Sequence, residues 1–463
     1  MIAKDLLRGL KVGIIGGSIG GLSSSILLSR LGADITVFER SPRLHDGKGV
    51  GVVLPRTLKE DCVELDLFDA EIPNHLIASR SFNVKDIVSA STGRPLWEQP
   101  FSVMSFNWSD LYTNLRKRIS AQKMLTDEEV SQIIQQNDQY QVVTTKGERY
   151  QFDLLIAADG GYSVVRKQIF PNVAPNYAGY VAWRGSIDPS QLEHLKLNLK
   201  PMEYFVYQNG HFLIYFMPAA DKENPQKLKL NWLLYEKYEE SAVSSLLTDE
   251  NNKKYAVSLP PGCLTKQHIN HLHDFAKQVL PSEIAKIVEL TEKPFLQAIY
   301  DFQVPQQAVG KICFVGDAAA VLRPHSASGV LKAISDSLSL AQAFETKEAE
   351  DLESFLQEWN TQQMTTTTQQ VTLAKKMGDA LVSNTPHWQE MNSESMENWW
   401  NELMSGQNWY ATPEKKEEKE KPVIGLGVHQ KKDRVDQPDA PFEEITLKNE
   451  RPKREKRFKG KYT

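Results

Sequence analysis

Near the N-terminus, the run Gly16-Gly17-Ser18-Ile19-Gly20-Gly21 combines very small residues with a spacing that lets backbone approach a phosphate. A helix N-terminus presents free N–H groups and the positive end of its dipole, so a pyrophosphate settles there if no side chain intervenes. Gly16 permits the tight turn, and Gly21 lets the helix pack close to the preceding strand. Ser18 stands at the middle glycine of the G-x-G-x-x-G pattern; it is the next smallest residue and adds a donor. Glu39 follows about twenty residues on, where an acid accepts from ribose hydroxyls and favours a free 2′-OH over a 2′-phosphate. The chemistry implied is the holding of a dinucleotide such as FAD or NAD.

Two further runs place polar residues just past apolar strands. Ala158-Asp159-Gly160-Gly161-Tyr162-Ser163-Val164-Val165-Arg166 follows Asp153 to Ala157. Gly316-Asp317-Ala318-Ala319 follows Ile312 to Val315, and Arg323-Pro324-His325-Ser326-Ala327-Ser328-Gly329 comes next. An Asp-Gly pair is by itself only a turn signal. Three such runs in one chain, each behind a strand, point to a single ligand. Gly47-Lys48-Gly49-Val50-Gly51 follows a strand-end acid rather than opening a helix, so it reads as a loop beside that ligand. His268, His271 and His273 cluster without an acid or thiol at ligand spacing, and no metal site is expected there. No nucleophile elbow supports a hydrolase.

These runs need elements to position them. Val12, Ile14 and Ile15 form a strand buried on both faces, Ile19, Leu22, Ile26 and Leu27 recur at helical spacing, and Ala33 to Glu39 is a second strand. The chain therefore opens with a βαβ unit. From about Arg80 to Phe101 and from Tyr177 to Tyr235 the pattern changes to alternating, aromatic-rich strands. Tyr204 to Phe216 reads as a hairpin with Asn209-Gly210 as a type I′ turn. Its second strand puts His211, Leu213, Tyr215 and Met217 on one face and Phe212, Ile214 and Phe216 on the other. Helical patterns occupy Ala256 to Lys293 and about Gly329 to Gly378; a tryptophan-rich stretch (Trp388, Trp399, Trp400, Trp409) follows. From Pro413 the chain is Lys/Glu-rich, with almost no core-forming residues, and reads as a disordered, solvated tail.

The expected class is α/β: a Rossmann-like dinucleotide domain interleaved with an antiparallel-sheet substrate domain, then C-terminal helices and the tail. The divisions are 1–79, 102–176 and 296–378 for the first domain, 80–101 and 177–295 for the second, 379–412 for the Trp-rich segment and 413–463 for the tail. With 463 residues and 41% hydrophobic content the chain can build a substantial core, and a net charge of −5 gives no reason to expect nucleic acid. A mean hydropathy of −0.43 and the lack of a long apolar run argue against a membrane span. Met1 to Leu10 is too short for a signal segment, and Cys62, Cys263 and Cys313 are scattered and odd in number, so a cytoplasmic protein is expected.

In this order, the glycine turn, the D-G-x-x-S-x-x-R run and the G-D pair resemble the para-hydroxybenzoate-hydroxylase-like (class A) FAD-dependent monooxygenases, over roughly Lys11 to Gly378. Gly16 to Gly21, Tyr177 to Gly185, Gly210-His211 and Arg323-Pro324-His325 look most like the 2,6-dihydroxypyridine 3-monooxygenase branch. The resemblance implies that FAD is bound by Gly16, Gly17, Ser18, Ile19, Gly20, Gly21, Glu39, Arg40, Asp159, Gly160, Arg166, Gly316, Asp317, Pro324, His325 and Gly329. Asp317 would hold the ribityl hydroxyls, while Asp159 and Arg166 would lie near the pyrophosphate and the NAD(P)H approach. Two positions depart from many relatives: Trp108 stands for an arginine and Leu331 for an asparagine.

The chain shows no second glycine fingerprint, so NAD(P)H is expected as a co-substrate without a domain of its own. The resemblance implies an FAD-dependent monooxygenase that hydroxylates an electron-rich aromatic or N-heteroaromatic ring with NAD(P)H and O2, through a flavin hydroperoxide. His211 and Tyr215 are the expected catalytic pair, their tips addressing one substrate hydroxyl, with His325 as rival to His211. Imidazole suits that proton transfer because its ordinary pKa lies near neutrality. Other readings are an epoxidase or reductase on the same fold, or a flavin-binding scaffold that recruits a partner through its tail. A homodimer is left open.

Overall fold

The computed structural model describes residues 3–42, 50–86, 91–195, 197–221, 223–407 and 409. The charged tail and most of the Gly47 to Gly51 loop therefore lie outside the described residues.

The opening apolar strand, Lys11–Ile15, sits inside a six-stranded sheet. Strands run in the order Ala308–Val309, Ile312–Phe314, Leu154–Ala157, Lys11–Ile15, Asp34–Glu39 and Met124–Thr126. All pairings are parallel except that between the first two strands. Every residue of Leu154–Ala157 is buried, as parallel strands covered on both faces require. The helix Ile19–Arg30 lies against Gly329–Thr346, where Ser24 and Ser337 share a hydrogen bond of 2.8 Å and Ser337 Oγ donates to Gly20 O. Small residues at that crossing bring the first and third motifs to one place.

The second sheet is broader and mixed. Its main path is Ser258–Leu259, Phe295–Gln303, Asn176–Ile187, Leu228–Lys237, Gly210–Pro218, Met202–Tyr207, His75–Val84, Arg94–Asn107 and Gly51–Pro55. It is antiparallel throughout except where Met202–Tyr207 pairs parallel with His75–Val84. Period-two alternation decides its two faces. Phe212, Ile214, Trp232 and Leu234 bury against the helices Lys266–Val279 and Ser282–Glu289. Tyr180, Tyr215, Leu233 and Tyr235 face the other way, toward the C-terminal elements. A separate three-stranded sheet spans Val130 to Phe152.

The hairpin turn differs from the expectation. Tyr207 pairs with Gly210, so Gln208 and Asn209 form the loop, and Asn209 alone takes a left-handed φ, of 63°. Gly210 is needed for space: a Cβ there would stand 2.4 Å from Tyr235 O. The Trp-rich segment folds onto the second sheet as the capped helix Ser393–Met404, with Trp388, Trp400 and Trp409 buried. No helix among the described residues is long and apolar enough to cross a membrane.

Candidate active site

A cavity of about 290 Å³ opens beside the glycine turn. Gly16, Ser18, Glu39, Arg40, Asp159 and Gly160 all line it. Gly16 has φ 106°, and Gly21 packs so closely that a Cβ would fall 1.8 Å from Gly16 O. Ser18 caps the helix without using its side chain, so neither its hydroxyl nor the N–H groups of the first turn are tied to each other. Gly17 sits against Glu39, whose carboxylate accepts from Gly17 N at 2.9 Å and from Ser41 N at 2.8 Å. Ile19 and Gly20 are buried in the helix that carries the turn. Trp108 also lines this cavity and stacks on Tyr112, which is where the departure from an arginine is felt.

The second motif forms the floor between this space and the next. Asp159 Oδ2 accepts from Val164 N at 2.7 Å and Ser163 caps the short helix Val164–Ile169. Burial raises the Asp159 carboxyl, and its other oxygen has no hydrogen-bond partner. Arg166 is buried, donates to Gly161 O at 2.7 Å and lies 4.0 Å over the Phe302 ring; its Nε and Nη1 are buried without partners. Arg166 thus braces the Asp-Gly loop.

The third motif opens onto a larger cavity of about 630 Å³. Asp317 is exposed into that cavity, though protein surrounds its carboxyl closely enough to raise it by desolvation, with Lys332 opposing and Asp336 adding to the shift. Beneath it lies a buried network that carries no sequence signal as a motif. Lys332 and Asp336 form an ion pair of 2.5 Å, and Asp336 accepts from Gly316 N and from Gln363 Nε2. Gly316, at φ 58°, is held in the left-handed turn that presents Asp317. Pro324, His325 and Gly329 line the same cavity.

His211, Leu213 and Tyr215 face this cavity. His211 Nδ1 lies 3.4 Å from Leu381 O, so that nitrogen carries the proton, and the ring stacks on Tyr235 with centroids 4.5 Å apart. Burial pushes its pKa down to about 3, well below the near-neutral value expected from the residue type. His325 lies 5.2 Å from His211, centroid to centroid. Its Nε2 meets Tyr180 OH at 3.0 Å, its Nδ1 is buried without a partner, and burial holds it well below its ordinary pKa. Tyr215 is four residues from His211, roughly 13 Å along the strand, and packs where a Cβ on Gly51 would come within 2.6 Å of its hydroxyl. The structure brings His211 beside His325, and Tyr215 lines the same cavity from the same face of the strand.

Trp409 also lines this cavity, which the sequence reading missed. Its indole donates to Ser326 O at 3.0 Å, and the Arg80 guanidinium lies 4.0 Å from the Trp400 ring and 4.9 Å from the Trp409 ring. The only sequence signal was four tryptophans too large to leave in water. Two of the clustered histidines make structural contacts: His268 completes a capping box and His271 meets Glu236 at 2.9 Å.

The unpartnered atoms suit FAD. Asp159 Oδ1 and His325 Nδ1 are buried without partners at residues that line the two cavities, and Asp317 opens into the larger one. A ligand with a pyrophosphate, a hydroxylated linker and a flat ring supplies acceptors and donors to match. A parallel glycine-turn sheet joined to a broad mixed sheet, with these cavities beside it, is the arrangement of an FAD-binding flavoprotein and is similar to that of the class A monooxygenases. The FAD binding domain-like family model matches residues 177–301, which lie mostly in the mixed sheet and its covering helices. The 2,6-dihydroxypyridine 3-monooxygenase of Paenarthrobacter nicotinovorans is 29% identical over 378 residues, 80% of this chain and 91% of that protein. The 3-amino-4-hydroxybenzoate 2-monooxygenase of Streptomyces cremeus is 24% identical, over 73% of this chain and 80% of that protein. The solved structure of 2,6-dihydroxypyridine-3-hydroxylase from Arthrobacter nicotinovorans matches with a TM-score of 0.74 at 26% identity, covering 82% of this chain and 94% of that one.

Proposed function

We propose that this protein is an FAD-dependent monooxygenase that hydroxylates an electron-rich, hydroxylated aromatic or N-heteroaromatic ring with NAD(P)H and O2. The observation that carries this reading is the buried histidine pair, His211 and His325, in an aromatic-walled cavity that also holds Asp317 and the Pro324–Gly329 loop. FAD, when bound, accepts reducing equivalents from NAD(P)H and activates O2. Glu39 holds the adenosine ribose, the helix behind Ser18 and the Asp159–Arg166 loop face the pyrophosphate, and Asp317 accepts from the ribityl hydroxyls. His325 and Gly329 orient the loop against the flavin ring.

His211 then works on the substrate. With Nδ1–H directed at Leu381 O, the neutral ring offers Nε2 as an acceptor. Because burial disfavours the imidazolium, His211 polarises a substrate hydroxyl by accepting its hydrogen bond and does not store the proton at neutral pH. That withdraws the proton toward the protein and makes the ring more electron-rich. The aromatic walls keep water away while this happens. Tyr215, at the far end, shapes and donates to the other edge of the ring. A cytoplasmic location belongs to the same proposal, since three scattered cysteines, Cys62, Cys263 and Cys313, suit a reducing compartment.

The test is His211→Gln. The variant should bind FAD and be reduced by NAD(P)H at the wild-type rate, yet yield hydrogen peroxide in place of hydroxylated product. Normal coupling in His211→Gln removes its role, and uncoupling in His325→Gln alone transfers that role to His325. Wild-type protein that shows no ring-stimulated NAD(P)H oxidation across hydroxylated phenols and pyridines would overturn the enzymatic reading itself.

A further inference from the structure

The strand Asn176–Ile187 carries a charged residue to which the reading above gives no task. Arg184 lines the large cavity, on the same face as Tyr180 and Ala182. Its Nη1 donates to Gln297 Oε1 at 2.9 Å, the guanidinium lies 5.5 Å from the Phe295 ring, and its Nε is buried with no partner. No carboxylate among the described residues lies within ion-pair distance of it. The other arginine lining this cavity, Arg323, is neutralised by Asp301 and Asp379, each at 2.7 Å. His211 and His325 are held neutral, and Asp317, its carboxyl raised by burial, lies at the Gly-Asp turn and not on the sheet wall. The charge left over on the sheet wall is therefore the positive charge of Arg184.

A second unsatisfied donor stands next to it. Arg184 pairs with Leu233 and Ser186 with Asn231, which puts Asn231 diagonally across from Arg184 on the same face. Asn231 is 4% exposed and its Nδ2 has no partner. Asn231 in turn pairs with Tyr215, and Leu233 with Leu213. Arg184 Nε and Asn231 Nδ2 are thus buried donors on neighbouring strands with no acceptor among the described residues, and the desolvation cost of the cation, which faces the cavity, is one that an anionic ligand there removes.

We propose that Arg184, with Asn231 beside it, is the subsite for an anionic oxygen substituent on the ring substrate. The substituent is either a carboxylate or a ring hydroxyl acidic enough to be ionised at neutral pH. The inference rests on the hydroxylase reading and deepens it. Arg184 anchors the anionic edge of the ring, while His211 lies one side-chain row away along the sheet with His325 beside it. The guanidinium fork suits a flat oxygen pair better than an ammonium would.

The test measures direct binding to the FAD-loaded protein, by flavin absorbance change and calorimetry, alongside turnover. Ligands are a hydroxybenzoate, its uncharged amide isostere, a phenol lacking the substituent and a hydroxypyridine ionised at neutral pH. The wild type should bind at least one anionic ring about tenfold to a hundredfold tighter than its neutral counterpart. Preference for the hydroxybenzoate identifies a carboxylate site, and preference for the ionised hydroxypyridine identifies a ring-oxygen site. Arg184→Gln should erase that preference while leaving FAD content and neutral-ring affinity within about twofold, Arg184→Lys should restore part of it, and Asn231→Asp should weaken anion binding further. Equal wild-type affinity for charged and neutral rings overturns the subsite, as does an Arg184→Gln that weakens both alike. The wild-type comparison needs no variant to fold. Because it reads binding, it stands even where no ring is turned over, the result that would instead sink the hydroxylase reading.

Discussion

The two cavities are built in different ways. The smaller is made largely by backbone and by residues close together in sequence: the turn at Gly16 to Gly21, the strand end at Glu39 and the loop at Asp159-Gly160. The larger is walled by side chains from strands, a loop and the C-terminal segment, brought together from Val50 to Trp409. A site made of backbone tolerates almost no added atoms but little depends on its distant neighbours. A site made of side chains tolerates exchange at single positions, while its chemistry depends on which strand lies beside which.

The largest effect expected from this contrast is at Gly21. A Cβ there would lie 1.8 Å from Gly16 O, so Gly21→Ala must push the helix off the sheet. The variant should yield little soluble yellow protein, read as flavin absorbance per milligram. Wild-type flavin content would show that the turn is looser than its geometry. Asp317→Ala should act less broadly. It removes a charged acceptor that opens into the large cavity, so the protein should stay folded while FAD affinity falls about tenfold to a hundredfold, equivalent to about 1.5–3 kcal/mol. A fully flavinated variant would separate the third motif from the cofactor.

The histidine pair sharpens the comparison through pH. Both rings are held below their ordinary pKa in the folded protein by burial, so they stay neutral there while the unfolded chain still takes up protons near pH 6.5. A depressed pKa contributes stability above the unfolded value and loses it as pH falls toward the folded one. For His211 the window runs from about 6.5 down to about 3. Within it the wild type should lose up to about 1.4 kcal/mol per pH unit on this account. His211→Gln should lose less on acidification, measured by denaturant unfolding at pH 7 and pH 5. Equal acid sensitivity would mean the ring is not protected as its burial implies.

The smallest effect belongs to the tail. Deleting Glu414 to Thr463 should leave FAD content and turnover nearly unchanged, since that stretch is dominated by charged residues and poor in apolar ones with which to dock. Extending the deletion back through Asn392 removes Trp409 from the wall of the large cavity and Trp400 from the core behind it, and should lower the melting temperature and weaken ring binding. If both deletions behave alike, the Trp-rich segment is not part of the site.

Legibility in the sequence follows the same division. The glycine turn, Glu39, the Asp-Gly loop and the Gly-Asp turn were readable because each is a local solution: a few consecutive residues meet a backbone requirement wherever they occur. The strands of the second sheet were readable as alternation, and with it the two residue sets on Gly210–Pro218. Which set faces the cavity was not, because alternation has no absolute phase. The helices Lys266–Val279 and Ser282–Glu289 settled it by covering Phe212 and Ile214. The loop of that hairpin also moved one residue from its expected place, since cross-strand packing at Gly210 outweighed the turn propensity of Asn209-Gly210.

By itself the sequence determined the glycine and Asp-Gly turns, the α/β class and the order of the elements. Tertiary structure alone decided who stands next to whom in the large cavity. It set His211 beside His325 and Tyr235, placed the buried Lys332–Asp336 pair under Gly316, and left Arg184 without a counter-ion among the described residues. It also laid Trp409 against the Pro324–Gly329 loop, more than eighty residues away in the chain. The reason is one of range. Backbone turns and helix dipoles act over a few residues, whereas desolvation and pairing of buried side chains depend on neighbours that only the completed sheet supplies.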